Sequence, residues 1–287
     1  MADNLAKRPF DEEIAMTKVL SVLVSTSLLV VACASPTPTP SPQASAQGSV
    51  APSTAATSPS PTAVAASPSA SATPVGSGPP LSIDPSDFVA TVDNRWFPLT
   101  PGTTLTYEGT KDGEEAVDIF EISDKTKVVD GVTCLVIRDR LTLGGALEEQ
   151  TEDWYVQDRD GNVWYFGEAT AELDEDGNIV STEGSWTAGE DGAAPGIFMP
   201  ADPQVGQSFQ QEFYPGHAED HFVVLLTTAT VKVPAGSYKD ALLTAEWTPL
   251  EPEVLGEKFY AKGIGLVKEF DVAGGKETLA LAEVTGP

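Results

Sequence analysis

Thiols and imidazoles are scarce in this chain: two cysteines, Cys33 and Cys134, and two histidines, His217 and His221, in 287 residues. Two thiols cannot supply the disulfide framework of a small secreted scaffold. The sequence has no Gly-x-Ser-x-Gly elbow and no phosphate-binding glycine loop, which removes the common hydrolase and nucleotide signatures. Positive charge is also short. Sixteen Lys and Arg stand against 43 Asp and Glu, a net charge of −27. Such a surface repels nucleic acid and anionic membranes, so no nucleic-acid partner is expected. No window shows the apolar repeat of an amphipathic helix. No apolar run reaches the roughly 20 residues of a spanning helix.

What is present begins with an export segment. Lys18 precedes an apolar stretch from Val19 to Val31, and small residues come next, as in a secretory signal. The end of that stretch, Val30-Val31-Ala32-Cys33, resembles the lipobox of bacterial lipoproteins, which implies lipidation of Cys33. Asp11, Glu12 and Glu13 place acid where a signal wants base, so Met16 is read as the true start. Residues 34–80 are almost wholly Pro, Ser, Thr, Ala, Gly, Val and Gln. They cannot bury enough apolar surface to offset the entropy of ordering, and read as a disordered spacer. Fully extended, that spacer would reach on the order of 140 Å at about 3.1 Å per residue. The expected location is the extracellular face of the cell membrane, with the lipid as the membrane contact.

Residues 81–287 read as one all-β domain. Strands are expected at 103–109, 115–122, 132–141, 147–156, 162–168, 179–186, 207–213, 221–233, 240–247, 256–260, 265–271 and 277–284. Turn residues separate them: Asp130-Gly131, Asp158 to Gly161, Asp174 to Gly177, Pro234 to Gly236 and Ala273 to Gly275. Asp-Gly and Gly-Asn pairs tolerate the positive φ of tight hairpins. The order implies an antiparallel meander, a strongly curved sheet or open barrel of about ten to twelve strands. The Gly-, Pro- and Ala-rich segment 190–203 reads as a long loop. Cys134 lies in an apolar run and is expected to be a core thiol.

Several stretches together resemble a family of secreted bacterial lipoproteins. They are Asn94-Arg-Trp-Phe-Pro-Leu-Thr-Pro-Gly102, Asp153-Trp-Tyr155, Asp160 to Glu168, Gly184-Ser-Trp186, Ala218-Glu-Asp220, Val233 to Tyr238 and Tyr260 to Val267. The resemblance spans most of residues 88–284. It implies an exported, mostly β domain and brings no activity with it.

Three constellations offer chemistry. The first is His217-Ala-Glu219-Asp220-His221, two histidines four apart with acids between them. A helical zincin site needs them one turn apart, about 6 Å, with glutamate directly after the first histidine. Here Glu219 comes one position late and the next residues are β in character. A strand would set the histidines roughly 13 Å apart, whereas the Pro215-Gly216 turn would bring them closer. The second is a pair of acidic turns, Asp158-x-Asp160-Gly-Asn162 and Asp174-x-Asp176-Gly-Asn178, partial matches to calcium loops that lack the third ligand and the final glutamate. The third is aromatic: Trp154, Tyr155, Trp164, Tyr165, Phe166 and Trp186. Alternation sends Trp154 and Trp164 to one face and Tyr155 and Tyr165 to the other. An uncovered face would be a platform for sugar rings or an apolar ligand. Glu152 with Glu168 is the carboxylate pair considered for glycoside hydrolysis.

The leading expectation is a lipid-anchored, monomeric surface protein without cofactor or enzymatic activity, binding a small apolar or carbohydrate ligand near the aromatic set. A divalent-cation module and a carboxylate-based hydrolase are the alternatives.

Overall fold

The computed structural model describes residues 83–89 and 91–287. The export segment, Cys33 and the spacer lie outside the described residues. The described part is all-β apart from one 3-10 turn, Pro85–Asp87.

Sixteen strands form one antiparallel sheet. The first half contains β1 (Phe88–Val89), β2 (Thr104–Lys111), β3 (Glu114–Val129), β4 (Val132–Leu143), β5 (Ala146–Asp158) and β6 (Val163–Leu173). Short pieces come next: β7 (Ile179–Ser181), β8 (Trp186–Thr187), β9 (Ala194–Met199), β10 (Ser208–Gln210) and β11 (Glu212–Phe213). The second half contains β12 (His221–Val233), β13 (Gly236–Trp247), β14 (Leu255–Ala261), β15 (Gly265–Ala273) and β16 (Glu277–Thr285). The hydrogen-bonded path runs β10-β12-β13-β14-β15-β16-β2-β3-β4-β5-β6-β9-β11.

The two ends of that path are consecutive in sequence. β10 pairs with β12, and two residues later β11 pairs with β9. One segment, Ser208 to Phe213, therefore bonds to both edges of the sheet and curls it into a nearly closed barrel, the arrangement that removes exposed strand edges. The crossover is tight. A Cβ on Gly196 would lie 2.4 Å from the carbonyl oxygens of both Gln210 and Gln211, so only glycine fits there.

Three stretches differ from the sequence expectation. The segment 190–203 contains β9, because β6 and the seam strand β11 give it partners that local composition does not reveal. Residues 179–186 are two short strands around a turn, not one. Residues 207–213 break at Gln211, where the chain leaves one edge for the other.

The inward face is apolar over much of its area: Leu105, Ile122, Ile137, Leu242, Val267, Leu279 and Leu281 are all buried. The segment from Val92 to Leu99 folds back on itself and packs against this interior. Phe97 stacks its ring at 4.6 to 6.0 Å from Phe198, Tyr155 and Phe120. Asn94 holds the segment: its Oδ1 accepts from the Trp96 and Phe97 amides, and its Nδ2 donates to Gly161 and Pro200 carbonyls. Cys134 is buried in β4, and burial pushes its thiol up to about 12.

Candidate functional site

Register decides which side chains meet. On β5 and β6, Tyr155 pairs with Tyr165 and Asp153 pairs with Glu168. Between those pairs β5 contributes one residue, Trp154, and β6 contributes two, Phe166 and Gly167. That is a β-bulge, and it re-aims the strand beyond it. Gly167 holds φ +127, and a Cβ there would sit 2.3 Å from the Trp186 carbonyl oxygen. Tyr165 and Glu168, three apart, consequently share the inward face. Unbulged alternation would have sent Glu168 outward.

The result is a carboxyl pair on adjacent strands, with Tyr165 Oη donating to Asp153 Oδ1 at 2.5 Å. Burial, and then the neighbouring Asp139 carboxyl, push Asp153 up to about 8. Burial and the Asp153 charge push Glu168 up to about 8 as well. Next to them, Asp139 and Asp118 lie within hydrogen-bonding reach of each other. Burial raises both, Asp118 to about 6. Asp118 is 9% exposed, and its Oδ1 has no N–H or hydroxyl donor against it among the described residues.

Acid continues around the inner wall. Glu212 on β11 is raised by burial and then by the Asp220 and Glu168 charges, while Asp220, before β12, is exposed. Beyond them Lys258 on β14 bonds Glu246 at 3.2 Å and Glu269 at 3.4 Å. Burial alone would lower this lysine, but the two carboxylates outweigh it and hold it well above its ordinary value. Thr244 and Tyr260 hydroxyls also donate to Glu246. Lys258 keeps 30% of its side-chain surface open.

A cavity of about 310 Å³ reaches Glu168 from the outer side of the sheet. Glu168, Trp154, Trp186, Tyr214, Lys127 and Glu190 are among its lining residues. The Lys127 ammonium sits 3.0 Å from the centre of the Trp154 ring. The indole N–H groups of Trp154 and Trp186 are buried and have no acceptor among the described residues.

The structure separates the candidates that the sequence suggested. Tyr155 and Tyr165 share the inner face and stack at 4.6 Å. Trp164 leans on Phe88 and donates to Asp158. Trp154, Tyr155, Tyr165, Phe166 and Trp186 are all buried, so these rings form packed walls and not an exposed platform. Glu152 pairs with Ala169 and points outward to Arg138. It cannot act with Glu168, whose partner is Asp153. His217 stacks on Tyr214, and His221 stacks on Trp247 with Nδ1 at 2.7 Å from the Glu219 carbonyl oxygen. Glu219 caps the turn by accepting from the Gly216 amide, while Asp220 is exposed. In the two acidic turns, Asp158 and Asp174 accept from the Asn162 and Asn178 amides and side chains. No group of three or more His, Cys, Asp or Glu is arranged to hold a metal among the described residues.

Apart from Glu168 and Asp220, these acids escaped the sequence reading because acids fill this chain and nothing local marks these few. Asp153 and Glu168 carried the one usable signal, an acid in each of two aromatic strands that read as a hairpin.

No family model matches the chain, and no curated protein matches it. Among solved structures it is similar to a protein of Bacteroides fragilis described as exported, with a YmcC-like fold. The likeness has 16% identity and a TM-score of 0.40, covering 67% of this chain and 99% of that one. It is also similar to a protein of Parabacteroides distasonis described as a lipoprotein, at 12% identity and TM-score 0.37, covering 69% and 100%.

Proposed function

We propose that the chain is a non-enzymatic binding protein of the cell envelope, anchored through lipid on Cys33 and displayed on the spacer 34–80. Its ligand is small and polar, and is held in the cavity beside Glu168. The observation that carries this reading is that the buried indole N–H groups of Trp154 and Trp186, which have no acceptor among the described residues, belong to rings lining one cavity. An unpaired buried donor is unfavourable, and an acceptor on a bound ligand would satisfy it. The cavity beside Glu168, walled by Trp154, Trp186 and Tyr214, combines aromatic faces with hydrogen-bonding groups. Binding sites for small polar molecules have this mixture.

Native mass spectrometry of the full-length protein released from detergent tests the reading. A retained organic mass, lost when Glu168 is changed to Gln, is the expected result. A bare protein mass in every preparation, with no small molecule able to raise the melting temperature, would overturn it.

A further inference from the structure

We infer that two copies of the chain dock face to face through the outer surface of β12 to β15, in place of the monomer expected from sequence.

The two halves of the barrel differ in their outer faces. On β4 and β5 the outward positions are polar, with Arg138 opposite Glu152 and Arg140 opposite Gln150. On β12 to β15 they are mostly apolar. Leu226, Leu243, Phe259 and Lys268 form one row across the four strands, and Val223, Ala245, Glu257 and Phe270 form the next. Their chain neighbours Val224, Leu242, Thr244 and Tyr260 are buried in the interior, so alternation turns these rows outward. Leu226 is 47% exposed, while the small Ala245 is buried. Val223, Leu243, Phe259 and Phe270 are half-buried. A strand with one solvated face alternates apolar and polar residues, whereas an unbroken apolar run such as Phe222 to Leu226 marks a strand covered on both faces.

Charge identifies the cover. The chain carries a net charge of −27, so two copies repel unless they meet on a face without excess acid. Within the two rows the charged residues are Glu257 and Lys268, one of each sign. Neither is in an ion pair among the described residues.

Their placement is self-complementary. Glu257 lies opposite Phe270, and Lys268 lies opposite Phe259. Acid and base thus occupy one diagonal of a square, and the two rings, stacked with centroids 6.4 Å apart, occupy the other. A two-fold axis along the ring diagonal, in the plane of the contact, lays the rings of the two copies against each other. The same axis sets each Glu257 over the other copy's Lys268. An isologous dimer needs this kind of match. A bilayer would leave Glu257 unanswered.

The test is sedimentation equilibrium of the full-length protein in density-matched detergent, and a monomer–dimer equilibrium is expected. Raising salt from about 0.01 to about 0.15 M shortens the screening length from about 30 to about 8 Å and should tighten the dimer about tenfold by relieving the general repulsion. Lys268→Glu and Glu257→Lys should each abolish it, because each sets like charges together across the axis. Mixing those two variants should restore it, and so should both exchanges in one chain. Leu226→Glu should abolish it, while Glu152→Gln on the other half should leave it unchanged. Thermal melts check that each variant is folded. A monomer under every condition would overturn the inference. So would a dimer that survives Lys268→Glu, or folded single variants that mixing fails to pair. Binding of a monomer to neutral phosphatidylcholine vesicles, lost in Leu226→Glu, would also overturn it and assign the face to a bilayer.

Discussion

Asp153 and Glu168 are direct cross-strand partners, placed on one face by the two-for-one bulge at Phe166 and Gly167. Cross-strand partners have Cβ atoms about 5 Å apart, so two carboxyls there repel unless a proton or a cation lies between them. Much of the behaviour expected of this barrel stems from that pair.

Stability should fall as pH rises. Asp153 and Glu168 titrate near 8 and Asp118 near 6 in the folded protein, whereas unfolded carboxyls titrate near about 4. Between those values the folded state holds more protons than the unfolded one. The stabilisation is complete below about pH 4 and is lost as pH climbs through about 6 and then about 8. Melting temperature measured from pH 4.5 to 9 should decline by several degrees. Glu168→Gln should flatten the decline, and Glu152→Gln should not. A flat profile for the unaltered protein would contradict the enclosed acid cluster.

Gly167→Ala should be severely destabilising. The residue sits at φ +127, and the new methyl would meet the Trp186 carbonyl oxygen and the Trp154 ring. Backbone strain of this kind is worth about 1 to 3 kcal/mol, and the clash adds to it. Urea unfolding should show a midpoint lowered accordingly. A midpoint unchanged within error would mean that the bulge is not held as described.

Asn94→Ala should loosen the segment that carries Trp96 and Phe97. Asn94 is 5% exposed and makes four hydrogen bonds to backbone groups. Leaving buried donors and acceptors unpaired costs about 1 to 3 kcal/mol. Tryptophan emission should shift to the red as Trp96 gains contact with water, and a silent spectrum would argue against it.

Lys258→Met should destabilise by about 3 to 5 kcal/mol at neutral pH, because it strands Glu246 and Glu269 without their cation. The double change with Glu269→Gln should recover part of that loss in denaturant melts. No recovery would show that the lysine acts through packing alone.

Cys134 should resist thiol reagents at pH 8 in the folded protein. Its thiol is buried and pushed up to about 12, and thiolate is the reactive form. Labelling should become fast only in denaturant. Rapid native labelling would contradict the packing around β4.

Much of this architecture can be read in the sequence. The expected strand 221–233 coincides with β12, and the Asp-Gly turns fall where the hairpins close, with Asp130 at φ 46 and Gly131 at φ 79. The shared face of Tyr155 and Tyr165 also comes from alternation. These features are local: a period of two, a turn residue that tolerates positive φ, a core thiol in an apolar run.

Other features needed the assembled barrel. One extra residue in β6 reverses the face of everything beyond it, and no local pattern announces that residue. The strand within 190–203 exists because a segment more than ten residues away supplies its partner. The inner acids look the same in sequence as the many acids on the surface, and only closure of the sheet separates the two groups. The sequence by itself determined strands, turns and the overwhelming negative charge. Tertiary structure alone decided where that charge is enclosed, because burial belongs to the pairing of distant strands and not to any single one.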